Sequence, residues 1–243
     1  MACAARCATG LMAIGRPGRS TDNSLTNILF VSSNFGNHVA AKGICMKTAL
    51  PSLALDQLFG TARTFGQFIE APVEESLIRE LYDLVKWGPT SGNSCPARFV
   101  WIRSTEGKER LAALAADMNR TKILAAPVTV IVGNDLDFPE TLPKLLPAPR
   151  AAMLQQMFKQ PGLAEVTAMR NGSLQGGYLI MAARALGLDC GPMSGFNNAG
   201  VDQEFFAGTK IQSNFICCFG FGKEGSPHPR NSRLTFEEAG HFA

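Results

Sequence analysis

Gly88-Pro89-Thr90-Ser91-Gly92-Asn93-Ser94-Cys95-Pro96 separates a helical pattern from a strand pattern. Upstream, residues 74–87 place Leu77, Ile78, Leu81, Leu84 and Val85 on one helical face, and Gly88-Pro89 ends that helix. Downstream, Phe99-Val100-Trp101-Ile102 reads as a buried strand. A second small-residue loop, Gly191-Pro192-Met193-Ser194-Gly195-Phe196, follows the longest helical pattern, residues 163–186. Such loops let backbone N–H and C=O groups approach a flat polar ligand, because little side chain stands in the way.

Between and beyond these loops the pattern is mixed. Thr105 opens a helix running to about Met118, Pro127 to Val132 is a second strand, and Asn214 to Phe219 is a third. Thr235 to Ala239 is a short helical turn. Residues 138–162 carry Pro139, Pro143, Pro147, Pro149 and Pro161 among short helical pieces, which predicts a cover over something rather than core. Gly172, Gly176 and Gly177 lie inside the long helix, each costing about 1 kcal/mol against alanine. A close approach by another helix or by a cofactor would account for them. Three strands among long helices predict an α+β fold with too few strands for a doubly wound sheet.

The chain has 243 residues, 46% of them hydrophobic, which suits one domain and a tail. Residues 1–45 hold Arg6, Arg16, Arg19 and Lys42 against Asp22 alone, so 46–243 balances 19 basic against 19 acidic residues. A neutral domain argues against general nucleic-acid binding. No apolar run reaches the roughly 18–20 residues of a membrane span, so no membrane partner is expected. Seven cysteines without a CxxC spacing suit a reducing, cytoplasmic setting. Cys217 and Cys218, adjacent in a strand, are expected to face opposite sides. Residues 1–45 admit three readings: a start site placed upstream of Met46, a disordered tail, or a basic, acid-poor transit peptide. The domain proper is residues 46–243.

Much chemistry is excluded. His38, His228 and His241 are the only histidines, no metal-ligand spacing occurs, and neither a G-x-S-x-G elbow nor a P-loop is present. Gly220-Phe221-Gly222-Lys223-Glu224-Gly225 matches G-x-G-x-x-G, but Ser226-Pro227-His228-Pro229 follows where a dinucleotide fingerprint needs a helix. The matching glycines read as a strand exit. A protein with no evident nucleophile, acid or metal suits chemistry carried by an organic cofactor.

Several stretches together resemble the nitroreductase superfamily of FMN enzymes, with closest similarity to its RutE-type malonic semialdehyde reductases. They are Leu58-Phe59, Ala62-Arg63-Thr64, Lys86-Trp87-Gly88-Pro89-Thr90-Ser91 and Cys95-Pro96-Ala97-Arg98. Further on come Arg184 to Asp189, Gly191 to Phe196, Arg233-Leu234 and Phe236 to Ala239. The resemblance spans roughly Leu53 to Phe242. It implies a nitroreductase-like fold with a small mixed β-sheet flanked by helices, in a domain-exchanged homodimer with FMN at the subunit interface. It also implies ping-pong use of NADPH or NADH to reduce a small-molecule acceptor, malonic semialdehyde, to 3-hydroxypropanoate in pyrimidine catabolism. A broad nitroaromatic or quinone reductase, and an FMN-binding protein without turnover, are the alternatives.

The same resemblance assigns residues. No side chain is cast as catalytic, since the flavin carries the hydride. Arg63 and Thr64 match the N-terminal flavin motif, although Ala62 and Gly66 stand where basic residues are usual. Arg230 and Arg233 are candidates to hold the phosphate instead, or are ordinary solvated arginines. Pro89, Thr90, Ser91 and Asn93 match a loop reaching the flavin from the partner subunit. Asn119 and Lys122 match a pair near the pyrimidine edge, where the lysine would stabilise negative charge. Pro192, Met193, Ser194 and Gly195 match a loop facing the flavin's N5 and O4, with Ser194 where glutamate is frequent. Arg98 and Arg170 are candidate anchors for a substrate carboxylate. Cys95 and Cys190 are read as packed residues rather than redox thiols.

Overall fold

Val128, Val130 and Val132 alternate with Thr129 and Ile131. In the computed structural model, which describes residues 47–243, the two sets bury on opposite faces of one sheet. The elements, in chain order, are α1 (Ser52–Leu55), a wide turn at Asp56–Gly60, α2 (Glu75–Val85), β1 (Ala97–Ile102), α3 (Thr105–Ala113), α4 (Asp117–Ala125) and β2 (Val128–Asp135). There follow a tight turn at Phe138–Thr141, α5 (Leu142–Leu145), α6 (Ala148–Met157), α7 (Leu163–Ala185), β3 (Asp189–Met193), α8 (Asn198–Phe205), β4 (Ile211–Gly220) and α9 (Phe236–Ala239). The strands are ordered β1-β2-β4-β3 and pair antiparallel throughout. A single parallel bridge, Thr64 with Cys190, makes the sheet mixed at its β3 edge.

Two cores sandwich the sheet. On one face Ile78, Leu81 and Val85 of α2 and Leu179, Ala182 and Ala183 of α7 meet the valines of β2, with Cys217 and Phe219. On the other, Leu111 of α3, Ile123 of α4 and Val201 of α8 meet Ile131, Ile216 and Cys218. Cys217 and Cys218 therefore do face opposite cores. Burial, reinforced by the neighbouring Cys190 thiol, pushes the Cys217 thiol well above its ordinary range. Burial also pushes Cys218 up to about 11.

The glycines of α7 have separable explanations. A Cβ on Gly172 would stand 2.0 Å from Asn134 Oδ1, and one on Gly176 would stand 2.4 Å from the Phe215 ring. Helix α7 is thus pressed onto β2 and β4, while Gly177 faces open space. The helix also holds the 88–96 stretch. Buried Asn171 accepts from Ser91 N–H at 2.7 Å and buried Gln175 accepts from Ala97 N–H at 2.9 Å. Gly88 leaves no room for a Cβ above the Tyr178 ring, which would lie 2.8 Å away.

Three expectations need correction. The helix expected over 105–118 breaks after Ala113, because the 194–197 loop takes its backbone: Ala116 N–H donates to Gly195 O and Asn197 N–H to Leu114 O. The chain then starts α4, which was not foreseen. Residues 138–162 are not merely a cover, since Phe138, Leu142, Ala151, Leu154 and Phe158 form a third core with Ala168. Pro139, Pro143 and Pro149 sit in first helical turns, where the missing N–H costs nothing, and Pro147 is the N-cap of α6. Lastly, Asp189–Met193 is an edge strand rather than a loop, its Gly-Pro pair tolerated by pairing with β4.

Two outcomes follow. Gly176→Ala should destabilise the chain by about 1–3 kcal/mol in urea unfolding, through overpacking against Phe215. Alkylation of the native chain at pH 8, followed by peptide mass mapping, should label half-exposed Cys95 well before Cys190, Cys217 and Cys218. With a pKa of about 11, Cys218 presents a thiolate fraction of only about one in a thousand at that pH.

Candidate functional site

The site begins with a close backbone approach. Residues 62–66 run beside β3, with Thr64 bridged to Cys190 and Phe65 N–H donating to Cys190 O at 2.9 Å. A Cβ on Gly191 would lie 2.2 Å from Phe65 O, so only glycine admits this contact. The following residues cross the end of β4: Ile69 N–H donates to Phe221 O, Lys223 N–H to Gln67 O, and Phe68 bridges Gly222. The glycine-rich exit of β4 opens no helix; residues 226–234 continue without regular structure. They return over the 62–66 segment as a strap. Arg63 Nη2 donates to His228 O, while Arg230 Nη2 donates to Gly60 O at 2.9 Å and Ala62 O at 2.8 Å.

Between strap, segment and β3 lies a cavity of about 650 Å³, within the size range of small-molecule and cofactor sites. Its wall includes Arg63, Lys122, Arg184, Arg230 and Arg233, with no aspartate or glutamate. A concave wall with cations only attracts and retains anions. Lys122 enters from α4 with its stem over Gly66, where a Cβ would lie 3.4 Å from Lys122 Cε. Its Nζ donates to Asn119 Oδ1 at 3.1 Å, and Asn119 Nδ2 donates to Gly195 O at 3.0 Å. Buried Asn119 therefore fixes both the lysine and the loop after β3.

Of the residues singled out from the sequence, Arg63, Thr64, Lys122, Pro192, Met193, Arg230 and Arg233 line this cavity. Asn119, Ser194 and Gly195 adjoin it through the Asn119–Gly195 hydrogen bond. Pro89, Thr90, Ser91 and Asn93 do not line it; within one chain they are held at α7 and by Leu145 O. Arg98 is not free to anchor a substrate. Its guanidinium pairs with Asp135 at 2.6 Å and donates to the carbonyls of Cys95 and Ala97. Arg170 is exposed on α7, away from the cavity wall. Arg184, Phe59, Gln67, Thr121 and His228 line the cavity without having been anticipated as site residues. Arg184 opens one of the stretches that carry the family resemblance, but a cation in the last turn of a helix is ordinary and nothing there marks it as a ligand. Among the described residues no His, Cys, Asp and Glu cluster suits a metal, and no helix is long and apolar enough to cross a membrane.

The fold agrees with the comparisons to known proteins. The Nitroreductase family model matches residues 62–223, and the chain belongs to that family. A Caulobacter sp. (strain K31) protein named "Putative NADH dehydrogenase/NAD(P)H nitroreductase" is 62% identical over 191 residues, covering 78% of this chain and 96% of the relative. A protein of the same name from Stenotrophomonas maltophilia (strain R551-3) is 56% identical over 200 residues, covering 82% and 100%. Among solved structures, a nitroreductase-type protein in complex with FMN from Exiguobacterium sibiricum superposes with a TM-score of 0.71 at 19% identity. That superposition covers 81% of this chain and 99% of the other, and bears on the fold alone.

Gly191→Ala should leave far-UV circular dichroism near wild type while the amide of Phe65 exchanges at least about tenfold faster, as its bond to Cys190 O is forced open. Hydrogen exchange resolved by residue checks this.

Proposed function

We propose that residues 46–243 form an FMN-dependent NAD(P)H oxidoreductase that works as a homodimer. The observation that carries the reading is the cavity whose charged lining is entirely cationic, closed by a strap over backbone that glycine alone permits. These residues fit the cofactor. Arg63, Arg230 and Arg233 present guanidinium forks suited to a phosphate dianion. Thr64 adds a hydroxyl, and Pro192 and Met193 add an apolar wall. When bound, FMN supplies two-electron hydride exchange between a nicotinamide and an acceptor. Lys122, oriented by Asn119, holds a positive charge against the edge where negative charge develops.

The dimer has its own support. Val166, Met169, Leu174 and Tyr178 are large apolar side chains left exposed on α7, and Trp87, next to the Gly88 that abuts Tyr178, is 79% exposed. A second copy seated there would bring its Pro89-Thr90-Ser91-Gly92-Asn93 loop toward a site that one chain leaves without it.

For the acceptor, the RutE-type stretches favour malonic semialdehyde, reduced to 3-hydroxypropanoate. With Arg98 committed to Asp135, Arg170 remains as the anchor for the substrate carboxylate, and since it lies off its own chain's cavity wall it would serve the site of the second copy. The names of the close relatives favour a second reading, reduction of nitro compounds.

Purified protein should be yellow, bleach under anaerobic NADPH or NADH, and regain colour when malonic semialdehyde is added. Recovery with a nitroaromatic but not with the aldehyde would favour the second reading. Protein that neither carries nor takes up FMN would refute both.

A further inference from the structure

Arg184 stands at the end of α7 in an unusual condition. Its Nη1 donates to Leu58 O at 3.1 Å, but its Nε is buried without any acceptor. A buried donor left unmet destabilises the fold that holds it. No carboxylate among the described residues pairs with it, whereas Arg79, Arg98, Arg103, Arg110 and Arg120 each have an acidic partner. Its side chain forms part of the cavity wall beside Arg63, Arg230 and Arg233.

The two ends of the cavity differ in kind. Arg184 reaches Leu58, Arg230 reaches Gly60 and Ala62, and Arg63 reaches His228, so guanidinium groups gather around residues 58–63. Lys122 sits over Gly66 and toward Gly195. The extended backbone from Ala62 to Gly66 separates those ends by roughly 13 Å. The three other arginines belong to exposed segments and spend their hydrogen bonds on backbone carbonyls there. Arg184 belongs instead to the 23-residue helix packed on the sheet, whose end is fastened further by Gln57 Nε2 donating to Arg184 O at 2.7 Å.

We propose that Arg184 is a preorganised anchor for the cofactor phosphate, the terminal nitrogens of its guanidinium donating to the phosphate oxygens. This rests on the FMN reading above. Positioned by a rigid helix, Arg184 loses little freedom when the phosphate arrives, unlike arginines of the strap, which must exchange existing bonds.

The test titrates the flavin-free full chain with FMN and with riboflavin, which has the same ring and ribityl chain but no phosphate. Arg184→Gln is the informative variant, because it removes the charge and both terminal nitrogens of the guanidinium; Arg184→Lys keeps the charge and loses the fork. Expected is at least a tenfold rise in the FMN dissociation constant for Arg184→Gln, a smaller rise for Arg184→Lys, and riboflavin affinity within about twofold of wild type in both. An unchanged preference for FMN over riboflavin would overturn the proposal, and so would equal weakening of both ligands, which marks a structural role. Wild-type protein that binds FMN no better than riboflavin would instead overturn the cofactor reading on which it rests.

Discussion

The approach of Phe65 to Gly191 is the constraint on which the site depends. A sheet edge normally leaves its N–H and C=O groups to solvent or to another strand. Here the outer edge of β3 is taken by Thr64 and Phe65, and the missing side chain at Gly191 sets how near they come. Everything nearby inherits that register. Arg63 and Thr64 are aimed at the cavity, Gly66 lies beneath the Lys122 stem, and residues 67–69 are carried across the end of β4. The strap then has a fixed surface on which to close.

Charge distribution separates the site from the rest of the fold. Elsewhere arginines find acids: Arg98 with Asp135, Arg110 with Glu204, Arg79 with Glu75. Around the cavity they find only carbonyls. Unpaired cations facing one another repel and favour opening, so a site of this kind is arranged for a ligand rather than for the stability of the empty chain. An anion that fills the cavity relieves the repulsion and stabilises the folded state by mass action. In such an arrangement the protein's part is to bind, orient and supply charge.

Much of the fold was legible from period and punctuation. Ile78, Leu81 and Val85 on the buried face of α2, the strand at β2, the opposed cysteines of β4 and the close approach at Gly172 and Gly176 of α7 all reflect local rules of helix and strand geometry, whereas Leu84 of the expected face is exposed and Gly177 meets nothing. What escaped was set by distant partners. The break between α3 and α4 exists because Gly195 and Asn197 claim the backbone of Leu114 and Ala116. Strand β3 exists because β4 pairs with it, against the propensities of Gly191 and Pro192. The third core is built from a proline-rich segment whose short helices carry Pro139, Pro143 and Pro149 in their first turns, and its partner Ala168 lies on α7.

The site divides along the same line. By itself, the sequence carried the periods of α2, β2 and α7, showed no metal-ligand spacing, and through its family resemblance named Arg63, Lys122, Arg230 and Arg233 as candidates for one ligand. Those inferences rest on residue type and order, which survive without coordinates. Only the tertiary structure decided which cations converge. It joined Arg63 to Arg230 across more than half the described chain, brought in Arg184 from the end of α7, and withdrew Arg98 into an ion pair with Asp135. The reason is physical: the fate of a long charged side chain is settled by the acceptor nearest its tip, and that acceptor lies far away in sequence.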